Sequence, residues 1–157
     1  MRLVARFPVD TACQVNPDFW SAELTINGTT YHRHDNGGGW VADTASVAPT
    51  AFVGVHAMVY GRAAIRDHAK VYGLAQVFAH ATICDHAEVF GYAAVCDHAV
   101  VGNHAKVYGF AQVCDNAIVR GHAEVFSYAV VSGDAIVRGK TIIDGGRICG
   151  YESESDD

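Results

Sequence analysis

A six-residue repeat runs without interruption through residues 45–146, and it constrains the fold of this 157-residue chain more than any other feature. The first position is alanine in 16 of the 17 hexads, and only Thr141 departs from the pattern. The third position is valine or isoleucine in all 17 hexads, from Val47 to Ile143. Such a short period is typical of a chain that winds into a β-helix. The sequence therefore predicts the architecture of the protein more sharply than its function.

Each hexad is predicted to form a short strand followed by a tight corner. In residues 69–74, alternation places Ala69 and Val71 on the inner face of the strand and Lys70 on the outer face. The fifth position is Gly, Asp or Asn in 13 of the 17 hexads, and these residue types tolerate a left-handed backbone conformation. Three strands then close a triangle of 18 residues. Coils stacked about 4.8 Å apart give a prism with a narrow core of alanine and valine.

The uninterrupted hexads of residues 45–146 resemble the hexapeptide-repeat family of left-handed parallel β-helices, which includes trimeric acyltransferases. The resemblance implies an all-β, single-stranded helix with three strands per 18-residue coil, and it is the source of the expected left-handed winding. Within this family, the chain is most similar to short, loop-free repeat proteins of the type that phages and prophages encode.

The repeat divides the chain into three segments. Residues 1–44 are not repetitive, and two β-rich runs joined by Asn27 and Gly28 predict a hairpin. Because a stack of strands has open edges, we interpret residues 1–44 as an N-terminal cap, with an interaction module as the alternative. Residues 45–146 form the β-helix, and residues 147–157 are predicted to be a partial coil with a disordered acidic tail.

Two details of the predicted cap are open to a structural check. His32 and His34 flank Arg33, and as a pair they could contact a metal, but we expect both to be exposed strand histidines. Residues 36–39, an asparagine and three glycines, are expected to be a flexible connection.

Composition excludes several classes of function. The net charge of −6, with only 11 basic residues, argues against nucleic-acid binding, which needs a basic stripe. No apolar run reaches the length of about 18 residues that a transmembrane helix needs, and the first residues are too polar for a signal peptide. The five cysteines lack metal-site spacing and are interpreted as reduced thiols. They predict a cytoplasmic protein, in the host cytoplasm for a phage-encoded chain.

Residues 18 positions apart are predicted to stack in columns, and one corner carries two adjoining columns that are mostly aromatic. Corner side chains point away from the core, so this patch predicts a protein interface. The opposite face carries an outward aliphatic column. Two different patches favour a heterologous contact, and we expect it to close into a homotrimer. The predicted interface residues are Tyr72, Leu74, Phe90, Tyr92, Tyr108, Phe110, Phe126, Tyr128, Val100, Ile118 and Ile136.

A further face carries alternating charges. Lys70, Glu88, Lys106 and Glu124 follow one another at the 18-residue spacing. Neighbours of opposite charge on adjacent strands can pair and stabilise a sheet, and we interpret this face as solvated.

Histidines form a ladder at another corner, and three interpretations stay open. The rings either stabilise the corner by stacking, or bind zinc or nickel, or act in catalysis. The catalytic interpretation comes from the resemblance, since acyltransferases of this fold use a histidine at a subunit boundary to deprotonate the acceptor. The candidate metal ligands are His68, His86, His104 and His122, and the candidate catalytic residues are His80, His86 and His104.

The function that these features favour is a non-catalytic, homo-oligomeric scaffold without a cofactor. Its expected partners are further copies of itself and another protein, such as a virion component or a host protein that it inhibits, but neither nucleic acid nor a membrane. A CoA-dependent acyltransferase is one alternative, and an oligomer that sequesters a small ligand in its subunit clefts is another. No loop interrupts the repeat to wall off a pocket, which disfavours the enzyme.

Overall fold

The computed structural model describes residues 23–150 and 152–153, and these residues form strands and turns without a helix. Repeat strands pair in parallel with the strand three places further along the chain, so that Thr82 lies beside Val100 and Glu88 beside Lys106. One coil therefore takes 18 residues, and about 6 coils stack into a solenoid. The predicted single-stranded parallel β-helix is confirmed.

The described strands form three sheets, one for each side of the coil. The first sheet contains Glu23–Ile26 (β1), Thr29–Arg33 (β2), Trp40–Ala42 (β3), Met58–Val59 (β6), Gln76–Val77 (β9), Ala94–Val95 (β12), Gln112–Val113 (β15), Val130–Ser132 (β18) and Arg147–Cys149 (β21). The second contains Ser46–Val47 (β4), Ala64–Ile65 (β7), Thr82–Ile83 (β10), Val100–Val101 (β13), Ile118–Val119 (β16), Ile136–Val137 (β19) and Glu152–Ser153 (β22). The third contains Phe52–Val53 (β5), Lys70–Val71 (β8), Glu88–Val89 (β11), Lys106–Val107 (β14), Glu124–Phe126 (β17) and Ile142–Asp144 (β20).

The core consists of the first and third hexad positions. From Ala51 to Val137, every alanine at the first position and every valine or isoleucine at the third position is at most 1% exposed. Burying a valine or isoleucine side chain contributes roughly 1.5–3 kcal/mol. Towards the C-terminal end, Ile143 is 7% exposed because fewer strands cover it. The alternation of inward and outward side chains along each strand thus forms the core that the repeat predicts.

The corners have the backbone conformation that the fifth position indicates. Positive φ angles occur at 15 of the 17 fifth positions, of which eight are glycine and seven are not. The exceptions are Pro49 and Val55 in the first coil. The left-handed corner is therefore a regular part of every later coil.

The predicted hairpin cap is also confirmed. Strands β1 and β2 pair antiparallel, and the turn between them has φ angles of 49° at Asn27 and 80° at Gly28, as a two-residue hairpin turn requires. Strand β2 pairs antiparallel with β3, which in turn pairs in parallel with β6. The cap therefore extends the first sheet beyond the N-terminal end of the repeat.

Residues 36–39 do not form the flexible connection that their composition predicts. The Val53 amide donates a hydrogen bond to the Asn36 carbonyl (3.0 Å), and the Gly39 amide donates to the Val53 carbonyl (2.8 Å). A Cβ atom at Gly37 would lie 2.3 Å from the Val53 carbonyl oxygen, so glycine is needed for close approach. The segment covers the open edge of β5.

The expectation for the two cap histidines is half wrong. His32 is exposed, and its Nδ1 atom lies 3.0 Å from Asp43 Oδ1. His34 is buried, because it lies beyond β2 where its Nε2 atom reaches the Ala51 carbonyl oxygen at 2.9 Å. Between them, the buried Arg33 guanidinium lies 3.9 Å above the Trp40 ring and donates to the Gly38 carbonyl.

The C-terminal end differs in part from the predicted tail. Glu152 and Ser153 form β22 and pair with Ile136 and Val137 of β19, so these two residues extend the second sheet. The remainder of the predicted acidic tail, residues 154–157, and the first 22 residues of the predicted cap lie outside the described residues. None of the described residues belongs to a helix of the length and apolarity that would cross a membrane.

Candidate functional site: the corner ladders

The predicted aromatic corner consists of two ladders with different surroundings. The exposed ladder contains the sixth-position residues Leu74, Tyr92, Phe110 and Tyr128, which are 47–73% exposed. The centroids of the Tyr92 and Phe110 rings are 4.8 Å apart, and those of Phe110 and Tyr128 are 5.0 Å apart. These rings follow the left-handed corner residue and project into solvent, so this ladder has the exposure that a contact surface needs.

The inner ladder contains the fourth-position residues and is only partly exposed. Its rings stack at 4.9 Å in the order Tyr72, Phe90, Tyr108, Phe126. The Tyr72 hydroxyl donates to Glu88 at 2.7 Å, and burial together with this carboxylate raises the pKa of Tyr72 to about 12. The inner ladder is therefore hydrogen-bonded to the outer face of the third sheet within the same chain.

The charge ladder on the third sheet is not a set of ion pairs. Glu88 accepts from Tyr72, and Glu124 accepts from the Tyr108 hydroxyl at 3.0 Å. In the part of the chain that the structure describes, no contact within 4.0 Å joins either glutamate to a lysine. The charged residues are cross-strand neighbours, as the spacing predicts, but the two carboxylates are hydrogen-bonded to tyrosines of the neighbouring corner.

The aliphatic column lies on the second sheet, as the 18-residue spacing predicts. Val100 pairs with Ile118, and Ile118 pairs with Ile136, on strands β13, β16 and β19. All three side chains are partly exposed on the outer face. The column and the exposed ladder therefore advance along the solenoid by the same coil spacing.

The predicted histidine ladder is present. The rings of His68, His86, His104 and His122 stack with centroid distances of 5.0–5.3 Å, and interplanar angles do not exceed 18°. Nitrogen lone pairs lie in the plane of an imidazole ring, so nearly parallel rings direct them side by side rather than towards one ion. This geometry favours the structural interpretation.

The candidate catalytic residue His80 lies at a different corner from His86 and His104. The first corner holds residues 66–68, 84–86, 102–104 and 120–122, the second holds 72–74, 90–92, 108–110 and 126–128, and the third holds 60–62, 78–80, 96–98 and 114–116. His80 stacks on His98 at 4.9 Å, whereas His86 and His104 stack on each other. Strand β10 separates His80 from His86 along the chain. All three candidates are exposed, and none has a hydrogen-bonded carboxylate among its described contacts that would orient the ring as a base.

A groove of about 450 Å³ lies where the cap meets the first coils. Its lining residues are Asn36, Thr50, Phe52, His68, Lys70, Tyr72 and Glu88. This concavity was not predicted, since it arises from the packing of residues 36–39 against β5. The groove combines one end of the histidine ladder with one end of the inner ladder.

The third corner carries two further features. Tyr60 and Phe78 stack at 4.9 Å, at the same hexad position as the inner ladder. In the next two coils this position holds Cys96 and Cys114, whose thiols lie close to the Asp97 carboxylate. Burial, Asp97 and Cys114 raise the pKa of Cys96 to about 12. The 18-residue spacing indicates that Cys96 and Cys114 stack, as Tyr60 and Phe78 do, whereas the position of the Asp97 carboxylate beside the two thiols needed the structure.

Comparisons with known proteins add no assignment to these surfaces, since neither a family model nor a curated protein nor a solved structure matches the chain.

Proposed function

We propose that the protein is a non-catalytic, self-assembled scaffold that presents a rigid β-helix to another protein. The observation that carries this proposal is the exposed ladder, in which Tyr128 is 73% exposed and Tyr92 is 58% exposed. Each aromatic side chain buries on the order of 150–250 Å² when fully covered. A row of such rings on a regular solenoid is a surface that association would remove from water.

A second copy of the chain is the occupant that best fits the exposed ladder. The ladder and the aliphatic column both repeat every 18 residues along the same axis. In two parallel copies, Tyr92, Phe110 and Tyr128 of one can therefore meet Val100, Ile118 and Ile136 of the other, coil for coil. The two patches differ, which supports a heterologous contact, and we propose that it closes into a cyclic homotrimer.

The assembled scaffold would keep its remaining corners and faces for a foreign protein. The resemblance to phage-encoded repeat proteins points to a virion component or to a host protein as that partner. The four described cysteines carry no disulfide, which is compatible with the proposed cytoplasmic location.

Substitution Tyr92→Glu tests the assembly. A carboxylate in the middle of the exposed ladder would have to be desolvated in the contact, so we expect the variant to be monomeric. Native mass spectrometry of the unaltered protein should give three times 16.8 kDa. Gln112→Glu is the control, because Gln112 is also exposed on the first sheet but belongs to neither patch.

Two results would contradict the proposal. Tyr92→Glu chains that assemble as the unaltered chains do would show that the exposed ladder is not the contact. An unaltered protein that is monomeric, or that grows into open filaments, would rule out the closed trimer.

The groove supports a second candidate, an oligomer that sequesters a small ligand, with the ligand held within one chain rather than in the subunit clefts expected from the sequence. Lys70 supplies a cation beside the aromatic walls of Phe52 and Tyr72. The same mass spectra separate the candidates, because a sequestering protein purified gently should carry extra mass on each chain. Lys70→Met should remove that mass without changing the number of subunits.

A further inference from the structure

Three metal-ligating side chains converge at the third corner of the solenoid. The sulfur atoms of Cys96 and Cys114 and a carboxylate oxygen of Asp97 all lie within 4.8 Å of one another. Cys96 Sγ donates to Asp97 Oδ2 at 3.5 Å. Among the described residues, this thiol cluster is the one group of three or more such side chains that meets this distance. It contains none of the histidines that the sequence suggested as ligands.

The repeat itself fixes the positions of the three side chains. Cys96 and Cys114 occupy the fourth hexad position in successive coils, and their amides donate to the carbonyls of Val113 (2.9 Å) and Val131 (3.0 Å). Asp97 holds the corner with a φ angle of 57°, and its Oδ2 atom accepts from the Asp115 amide at 3.3 Å. The ligand atoms are therefore brought together by backbone ladders before any ion binds, which favours affinity.

We propose that Cys96, Cys114 and Asp97 form a binding site for a thiophilic divalent ion of the zinc class, with solvent as the fourth ligand. Zinc takes sulfur at about 2.3 Å and carboxylate oxygen at about 2.0–2.2 Å, so a tetrahedral site separates sulfur from oxygen by about 3.5 Å. The distance between Cys96 Sγ and Asp97 Oδ2 already has this value. Both thiols are partly exposed and Asp97 is exposed, which leaves room for water to complete the site.

Charge and composition at the cluster favour a metal ion over a disulfide. A disulfide would use the two sulfur atoms alone, whereas the Asp97 carboxylate adds a hard anionic donor at the same point. On binding, each thiol releases its proton to solvent and its sulfur forms a bond to the ion. Two thiolates and one carboxylate then face a divalent cation. The positive charge of the Arg147 guanidinium also favours the thiolate form of Cys114.

The first corner provides an internal control with the second thiol missing. Cys84 donates to Asp85 Oδ2 at 3.7 Å, as Cys96 does to Asp97. In the next coil, however, the position of Cys114 is taken by Gly102. The two corners thus differ by one thiol in an otherwise similar arrangement.

Titration of the reduced full-length protein with Co²⁺ tests the site. We expect one ion per chain, with thiolate-to-cobalt charge-transfer absorption in the ultraviolet and the visible bands of a tetrahedral site, and Zn²⁺ should displace it. Cys96→Ser and Cys114→Ser should each lose the charge-transfer bands. Asp97→Asn should bind Co²⁺ more weakly, and asparagine suits this corner because Asn103 has the same left-handed conformation.

Variants of the other thiols complete the test. Cys84→Ser and Cys149→Ser should keep both the spectrum and the stoichiometry, as should Cys13→Ser, whose position lies outside the described residues. Circular dichroism of every variant checks that the solenoid is intact. The proposal is overturned if the reduced protein gives no charge-transfer band, if folded Cys96→Ser or Cys114→Ser keeps it, or if removal of another cysteine abolishes it.

Discussion

At the scale of single residues, the fifth hexad position meets two demands, and only the first can be read from the sequence. It must adopt a left-handed conformation, which even Ala79 and Ser127 do with φ angles of 59°. An Asp or Asn there also accepts a hydrogen bond from the next coil, as when Asp85 Oδ2 accepts from the Asn103 amide at 2.9 Å. Asp and Asn therefore do more than replace glycine, since they tie successive corners together.

Cys149 should be the most reactive thiol among the four described cysteines. A hydrogen bond between Ser132 Oγ and Cys149 Sγ (3.1 Å) and one donated by Arg147 Nε (3.3 Å) lower the pKa of this exposed thiol. Burial and acidic neighbours instead raise the pKa of Cys84, Cys96 and Cys114. Since the thiolate is the nucleophile, Cys149 should be alkylated first, and its advantage should shrink as the pH rises through the raised pKa values of the other three thiols.

Peptide mapping after brief treatment with iodoacetamide measures this order. Ser132→Ala removes the first of the two hydrogen bonds and should slow alkylation of Cys149 at neutral pH, while the rate at Cys84 stays unchanged. Faster labelling of Cys84 than of Cys149 would contradict the assignment.

At the scale of strands and corners, each strand of the repeat is only two or three residues long, so the corner decides how coils stack. At the second corner a glycine column replaces the Asp and Asn residues, and a Cβ atom at Gly73 would lie 2.9 Å from the Gly91 amide nitrogen. Gly145 has a similar φ angle of 78°, but no atom lies within 4 Å of a Cβ placed there. Substitutions at these two glycines therefore separate the free-energy cost of the left-handed conformation from the cost of the contact with the next coil.

Gly73→Ala should therefore destabilise the protein more than Gly145→Ala. Both substitutions place alanine in the left-handed region, at a cost of roughly 1–2 kcal/mol, and only the first also forces the next coil to shift. Gly73→Asn should lose less than Gly73→Ala although it is larger, because its side chain can accept from the Gly91 amide as Asn103 Oδ1 accepts from Gly121. Urea denaturation ranks the three variants, and an asparagine variant less stable than the alanine variant would contradict the role given to the corner ladders.

At the scale of the whole molecule, the periodicity was sufficient to predict the solenoid, its core and which residues share a column. This is possible because pairing at a fixed spacing of 18 residues is the same in every coil. The groove could not be predicted, because it depends on how residues 36–39 pack on β5. The division of the aromatic corner also needed the structure, since hexad position alone does not show that Tyr72 reaches Glu88.

The cap is the part of the molecule that keeps the N-terminal end of the solenoid closed, and Gly39 is the residue on which we expect this to depend. A Cβ atom at Gly39 would lie 2.3 Å from Val53 Cγ1 and 2.5 Å from the Gly54 carbonyl oxygen. Gly39→Ala should therefore lift residues 36–39 from β5 and break the bond from the Val53 amide to the Asn36 carbonyl. An open strand edge promotes pairing between molecules, so the variant should aggregate as concentration rises.

Gly28→Ala is the control for this substitution, because Gly28 lies in the same cap with a φ angle of 80° and nothing within 4 Å of an added Cβ. It should strain the hairpin turn yet leave the edge of β5 covered. Amide hydrogen exchange at Val53 distinguishes the two, with protection lost in Gly39→Ala and kept in Gly28→Ala. Equal protection in both variants would mean that β1, β2 and β3 close the end of the solenoid without residues 36–39. The glycines of this segment would then be needed only for its backbone conformation.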